Sequence, residues 1–278
     1  MKAIDNKHTI NNELVRLINN LTQMLLHSIV LGKGKPILIL HGFLGMLDNW
    51  KTIGKQLADD GFQAHLIDQR NHGNSFHSDE FNYNVLAEDV YRYCLHYQLS
   101  NVTVIGHSMG GKVAMNLAIR HPELIEKLIV VDIAPKVYPP HHADVLAGLL
   151  SLDLGKLETR QEADNQLKKY IPDFGVRQFL LKNLYRETNG KFGLKCNLKV
   201  LSQAEQMIGE TFMQRAKFEN PVLFMKGQNS SYIEENDRVA IEKFFPKASI
   251  FEVLGTGHWL HAENPKVFYE KLVSFLKN

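Results

Sequence analysis

The spacing of apolar positions changes along the chain, and those changes mark out its elements. Residues 9–22 carry Ile10, Leu14, Leu17, Ile18 and Leu21 at helical spacing, which predicts an amphipathic helix ahead of the main body. From residue 25 onward, short apolar runs alternate with amphipathic stretches, and Gly, Pro, Asn or Asp stands at the joints. The pattern predicts strands over 25–31 and 36–40, with Gly32-Lys33-Gly34 turning between them, then a helix over 49–60 with Asp48 as its N-cap. Strand 62–67, helix 83–97, strand 102–105, helix 109–120 and strand 128–133 follow. Between residues 135 and 217 the rhythm breaks, and helices are expected over 144–150, 162–170, 176–185 and 203–216 with no strong buried strand. After Pro221 the alternation returns, with strands 222–225 and 249–254 and helices 238–244 and 265–276.

Alternating strands and helices predict an α/β fold: a mostly parallel central sheet with helices on both faces. The helical block is too long for an ordinary loop. It is expected to be an inserted helical cap over the carboxyl ends of the strands, where open α/β sheets bind ligands. The expected organisation is therefore an N-terminal helical extension (1–23), a core made of 24–134 and 218–278, and a cap of 135–217. The extension reads as a surface helix without chemistry, and its apolar stripe is a candidate homo-oligomer contact. In the cap, Phe179, Leu180, Leu181, Leu184, Met207, Phe212 and Met213 are expected to be packing residues rather than an acyl pocket.

Charge and cysteine usage narrow the class. With 32 basic and 30 acidic side chains among 278 residues, the formal charge of +2 lacks the electrostatic footprint of a protein that binds nucleic acid. Cys94 and Cys196 stand far apart and in no metal-binding spacing, so neither a disulfide scaffold nor a zinc site is expected. No apolar run approaches the roughly 18 residues of a membrane span, and the start lacks the apolar core of a secretory signal. The expectation is a soluble cytoplasmic protein that needs no metal to hold its core.

The sharpest chemical signal is Val102-Thr103-Val104-Ile105-Gly106-His107-Ser108-Met109-Gly110-Gly111-Lys112, a β-rich run that passes through GxSxG into a helix. A serine on so tight a strand-to-helix turn leaves no room for side chains two positions to either side, and Gly106 and Gly110 stand there. The turn lifts the Ser108 hydroxyl from the sheet edge and sets the Met109 N–H at a helix N-terminus, facing a developing oxyanion. A serine hydroxyl needs a base. Of the 13 histidines, His258 in Gly255-Thr256-Gly257-His258-Trp259 follows the last strand and returns to the edge that carries Ser108. His261 is the neighbouring competitor and is expected to pack, while His96, His121, His141 and His142 are assigned no chemistry.

The acid is less direct. Many proteins with this chain order carry an aspartate after the strand that follows the cap, but here that segment is Lys226-Gly227-Gln228-Asn229-Ser230-Ser231, with Ser230 in its place. Val130-Val131-Asp132-Ile133-Ala134-Pro135 instead ends an apolar strand in a carboxylate that needs a partner if buried. Asp132 is therefore favoured over Glu234 and Asp237. Pro36-Ile37-Leu38-Ile39-Leu40 runs into His41-Gly42-Phe43-Leu44-Gly45, a strand and loop suited to lend a second oxyanion N–H from Phe43. Leu44, Trp50, His107 and Trp259 are the candidate substrate-pocket residues. In Asp68-Gln69-Arg70-Asn71-His72-Gly73, Asp68 and Arg70 are expected to brace the loops, since no further ligand cluster supports a metal at Asp68 and His72.

Together these motifs resemble the α/β-hydrolase superfamily over residues 24–278. Within it, the chain resembles the small capped bacterial esterases and acyl-CoA thioesterases related to mitochondrial abhydrolases. The resemblance implies an aspartate acid within the VDIAP segment, which agrees with Asp132. It also implies hydrolysis of short to medium acyl esters or thioesters through an acyl-enzyme, with small-molecule substrates and no cofactor. Carbon–carbon bond hydrolysis, lactone hydrolysis and non-catalytic ligand binding are the competing expectations.

Overall fold

The computed structural model describes residues 24–211 and 216–278. The helix expected over 9–22, together with Phe212 and Met213, lies outside the described residues. A seven-stranded sheet forms the centre. Its strands are β1 (Ser28–Gly32), β2 (Lys35–Leu40), β3 (Phe62–Ile67), β4 (Val102–His107), β5 (Ile125–Val131), β8 (Val222–Gly227) and β9 (Ala248–Val253). They lie in the order β1-β3-β2-β4-β5-β8-β9. Every pairing is parallel except β1 with β3, where Ser28 faces Ile67 and Gly32 faces Gln63.

The inner strands are buried on both sides, so successive residues serve different cores. Leu38, Leu40, Val102, Val104, Leu128 and Val130 pack on one face with the helices Tyr83–His96, Met109–Arg120 and Asp237–Phe244. Ile37, Ile39, Ile105, Ile129 and Val131 pack on the other with Lys51–Asp59 and Pro265–Lys277. This is the expected α/β layering. Among the described residues no helix is long and apolar enough to cross a membrane.

Between β5 and β8 lie the helices Ala143–Leu150, Arg160–Leu167 and Phe174–Leu181, and shorter ones at Leu198–Leu201 and Glu205–Gly209. Three expectations need correction. The helix placed over 176–185 stops at Leu181, and the segment contains an antiparallel hairpin, β6 (Leu184–Arg186) with β7 (Phe192–Leu194). Asn189-Gly190, with Gly190 at φ 82°, is the hairpin signal in this stretch. The helix over 203–216 is only Glu205–Gly209 within the described residues, because the chain is gripped there: Tyr138 N donates to Gly209 O at 2.8 Å, and a Cβ at Gly209 would meet Tyr138 O at 2.2 Å.

Nor does Asp48 cap the helix over 49–60. A 3₁₀ turn, Leu47–Trp50, comes first and the α-helix starts at Lys51. The turn is fixed by acceptors for its free amides, Asn49 Oδ1 for Met46 N (2.7 Å) and Asp68 Oδ1 for Leu47 N (2.8 Å).

Candidate active site

β4 delivers Ser108 at φ 52°, ψ −118°, a conformation that L-residues adopt only when held in place. The flanking glycines hold it. A Cβ on Gly106 would fall 2.2 Å from Gly110 O, and one on Gly110 would fall 2.4 Å from Leu40 O. Ser108 N donates to Val131 O at 3.0 Å, which ties the turn to the end of β5. Met109 is the first helical residue, so its N–H is one that the helix's own ladder leaves unpaired.

The next residue after β5 is Asp132, also at positive φ (52°) and fully buried. A buried carboxylate is tolerated when donors surround it. Gly227 N donates to Oδ1 (3.0 Å), and Oδ2 receives the Ser230 hydroxyl (2.5 Å) and His258 Nδ1 (2.8 Å). Ser230, in the position where the usual acid is missing, thus donates to the carboxylate at the end of the neighbouring strand. Asp237, a sequence alternative, is engaged with Lys136 Nζ at 2.7 Å and Glu234 N at 2.8 Å.

His258 sits in the loop after β9. Glu263 holds that loop by accepting from Gly257 N (2.6 Å) and Trp259 N (3.2 Å), and His107 Nε2 donates to His258 O at 2.9 Å. With Nδ1 facing the carboxylate, Nε2 is the ring nitrogen left unengaged. The Tyr232 ring stacks on the imidazole at 4.0 Å and 17°. Its hydroxyl hydrogen-bonds His141 Nε2, and its carbonyl accepts from Tyr138 Oη at 2.5 Å. Ser108 and His258 line the same cavity, about 210 Å³ in volume, together with Phe43, Leu44, His107, His142, Tyr232 and Trp259.

The loop after β2 presses against the serine turn, since a Cβ on Gly42 would meet His107 Nδ1 at 2.9 Å and Ser108 Cβ at 3.4 Å. Two neutral histidines fix it. His41 Nε2 accepts from Gln69 N (3.0 Å) while its Nδ1 donates to Gly42 O (2.9 Å). His72 Nε2 accepts from Leu44 N (3.1 Å) while its Nδ1 donates to Arg70 O (2.9 Å). A second proton on either ring would face an N–H. Burial accordingly lowers His41 to about 4 and His72 to about 3. Asp68 accepts from Leu47 N and Asn74 N, and Arg70 forks onto Asp89 at 2.5 and 2.7 Å, so both brace the loops. Among the described residues no group of three or more His, Cys, Asp or Glu side chains is placed to hold a metal.

The remaining candidates separate. Leu44 lines the serine's cavity, His107 and Trp259 line both that cavity and an adjoining chamber, and Trp50 lines only the chamber. Trp50 is buried and stacks on His261 at 4.3 Å and 6°; burial lowers His261 to about 3. Lys112, at the end of the GHSMGGK run, is also buried, which pushes its amine down to about 7. It donates to Gly209 O at 2.9 Å and to the Ile208 and Glu210 carbonyls, clamping that segment to the helix that begins at Met109.

Tyr232, His141 and His142 carry no site signal in the sequence. His141 and His142 lie beside the site because the chain leaving β5 crosses it, with the His142 ring edge-on to Phe43 at 5.0 Å. No local pattern announces this.

These features define a class. The chain belongs to the alpha/beta hydrolase fold family, whose family model matches residues 35–265. Among its relatives is Esterase YbfF of Escherichia coli, 33% identical over 245 residues, covering 87% of this chain and 93% of that protein. Another is the sn-1-specific diacylglycerol lipase ABHD11 of Danio rerio, 36% identical over 254 residues, covering 88% and 80% respectively. A solved structure described as a marine microorganism esterase superposes with a TM-score of 0.88 at 39% identity, covering 91% of this chain and 99% of that one.

Proposed function

We propose that the chain is a serine esterase that cleaves short to medium acyl esters or thioesters through an acyl-enzyme. Ser108 Oγ attacks the acyl carbonyl while His258 Nε2 takes its proton, and the N–H groups of Phe43 and Met109 receive the oxyanion. Asp132 accepts the Nδ1 proton, fixing the tautomer and stabilising the imidazolium. The C–O or C–S bond to the leaving group then breaks, and the imidazolium proton goes to that group. Water, deprotonated by His258, attacks the acyl carbonyl; the acid is released and Ser108 regains its proton.

The observation that carries this reading is the 2.8 Å contact of His258 Nδ1 with buried Asp132, in a ring that shares its cavity with Ser108. The relatives' names support ester chemistry. Two buried, unpaired cysteines suit a reducing cytoplasm. A panel of p-nitrophenyl esters and acyl-CoAs of increasing chain length, with Ser108→Ala alongside, tests the reading. Turnover by the native chain, abolished in Ser108→Ala, and mass-spectrometric capture of an acyl group on Ser108 are expected. An inert native chain, or activity that survives Ser108→Ala, overturns it.

A further inference from the structure

An imidazole turns in a broad torsional well, and the hydrogen bond from His258 Nδ1 to Asp132 at 2.8 Å fixes the ring's edge but not the tilt of its plane. A base needs both, because its free nitrogen must stay aimed at the reacting hydroxyl. The neighbouring rings of His107 (4.7 Å, 41°) and Trp259 (5.6 Å, 66°) meet the imidazole at a slant. Tyr232 lies flat on it, at 4.0 Å and 17°, and a contact across a whole face resists tilting. We propose that Tyr232 is a positioning residue of the reaction: its ring sets the plane of the His258 imidazole, and His141 holds that ring in place through the phenol hydroxyl. The proposal rests on the serine-esterase reading above and adds to it how the base is kept aimed.

Tyr232 is itself held at three points. Its N–H donates to Ser230 Oγ at 3.3 Å, and the same hydroxyl donates to Asp132 Oδ2, so the acid and the stacked ring share one support. Its carbonyl accepts from Tyr138 Oη at 2.5 Å, and Tyr138 Oη in turn accepts from Ala134 N at 2.8 Å. The phenol end meets His141. His141 Nδ1 lies 2.8 Å from Pro139 O, which can only accept, so Nδ1 carries the proton of the neutral ring and Nε2 receives the Tyr232 hydroxyl. Ala134, Tyr138 and His141 all belong to the chain that leaves β5 just after Asp132. The strand that supplies the acid therefore continues into the bracket that aims the base.

Charge does not do the same work. Asp132 stands at the imidazole's edge, and the other titratable rings near it stay neutral: burial lowers His142 and His261 to about 3 and His107 well below the ordinary range. Burial also raises the Tyr232 hydroxyl to about 12, so it remains a neutral donor. What Tyr232 supplies is thus a surface on one face of the imidazole and a hydrogen bond at the far end of its own ring. Removing the ring leaves space into which the imidazole tilts while Asp132 stays beside it. Removing the hydroxyl alone keeps the surface and frees only its far end.

The test reads kcat and KM on p-nitrophenyl acetate, whose small acyl group limits contact with position 232, together with the low-field proton signal of His258 Nδ1. Tyr232→Leu is expected to lower kcat about thirtyfold or more and to move KM less than about threefold, as a misaimed base does. Tyr232→Phe, which keeps the ring, is expected to lose only about two- to fivefold. His141→Ala, at an exposed position, is expected to match Tyr232→Phe, and the double variant to fall no further than either alone, because both changes remove one hydrogen bond. The Nδ1 proton signal should be sharp in the native chain and in Tyr232→Phe, and should broaden into the solvent line in Tyr232→Leu. A smaller kcat loss in Tyr232→Leu, a loss carried by KM, or a Tyr232→Phe variant as damaged as Tyr232→Leu would overturn the proposal. So would an unchanged His141→Ala, or losses that multiply in the double variant. Should Tyr232→Leu fail to melt cooperatively, His141→Ala and the double variant decide. An inert native chain would defeat the esterase reading itself, and the proton signal would still decide whether Tyr232 holds the imidazole.

Discussion

Asp132→Asn tests the site where its geometry is most demanding. The amide that replaces the carboxylate has one acceptor oxygen and one donor nitrogen, and its surroundings decide which way it turns. Gly227 N points at Oδ1 from 3.0 Å and can only donate, so the amide oxygen must face it. The opposite orientation would set two donors against each other in a fully buried place, costing about 1–3 kcal/mol. The NH₂ group is thereby directed at His258 Nδ1 and Ser230 Oγ, which approached Oδ2 at 2.8 and 2.5 Å. Nδ1 becomes an acceptor and the ring proton moves to Nε2, where the lone pair needed by Ser108 is lost. A wrong tautomer of this kind lowers turnover by about four orders of magnitude, or about 5.5 kcal/mol of barrier at 1.36 kcal/mol per decade. The geometry also offers a repair: a carboxylate at position 230 would approach the same point, and the amide at position 132 could donate to it. Asp132→Asn/Ser230→Asp is expected to regain at least tenfold in kcat over Asp132→Asn, measured on p-nitrophenyl butyrate with melting curves to confirm folding. Asp132→Asn within tenfold of the native enzyme, or crippling by Glu234→Gln or Asp237→Asn, would refute the acid assignment.

Further outcomes follow from buried groups. His41, His72 and His261 stay neutral in the folded chain down to about 4, 3 and 3, against an ordinary 6.5. The unfolded chain therefore binds more protons below pH 6.5, and stability falls with pH from there towards 4; at pH 5 each contributes a loss of about 1.36 × 1.5, or about 2 kcal/mol, readable in urea titrations from pH 8 to 5. His261→Phe keeps a ring against Trp50 and removes the unpaired Nδ1, so the acid slope should lose about one proton; an unchanged slope would show that His261 does not titrate on unfolding. Lys112→Met leaves the Gly209 and Glu210 carbonyls without their ammonium donor and should destabilise by about 2–4 kcal/mol, with faster amide exchange over 205–210; equal exchange would remove the clamp. Gly106→Ala forces a Cβ to 2.2 Å from Gly110 O and should lower stability by more than about 2 kcal/mol in a thermal melt, whereas a neutral result would mean that the serine turn is not sterically closed.

The layered sheet was legible because its cause is local. Buried parallel strands need near-continuous apolar runs, and Pro36 to Leu40, Val102 to Ile105 (interrupted by Thr103) and Leu128 to Val131 supply them in the order in which the chain uses them. The serine turn was legible for a related reason: the backbone at φ 52° tolerates nothing larger than glycine at positions 106 and 110, so the geometry is written as residue identity. Where tertiary contacts overrule local preference, the pattern misleads. The stretch after Gln203 has helical spacing, yet Tyr138 and Lys112 capture the carbonyls of residues 208–210 and end the helix at Gly209.

Asp132 and Tyr232 mark the boundary between these two situations. A carboxylate closing a run of buried aliphatics is anomalous in the sequence itself, because an unpartnered charge there would be too unfavourable to keep. The anomaly asks for a partner, and the sheet order, with β5 beside both β4 and β8, leaves the loops above those strands to provide it. Tyr232 carries no such anomaly. An aromatic two residues beyond Ser230 is compatible with any surface loop, and its stacking on His258 exists only because β8 and β9 are neighbours and end at the same edge. The same holds for His141 and His142, brought over the site by the chain leaving β5. A residue whose burial violates a local rule can be found by reading along the chain; one whose role arises from adjacency alone becomes visible only when the strand order is known.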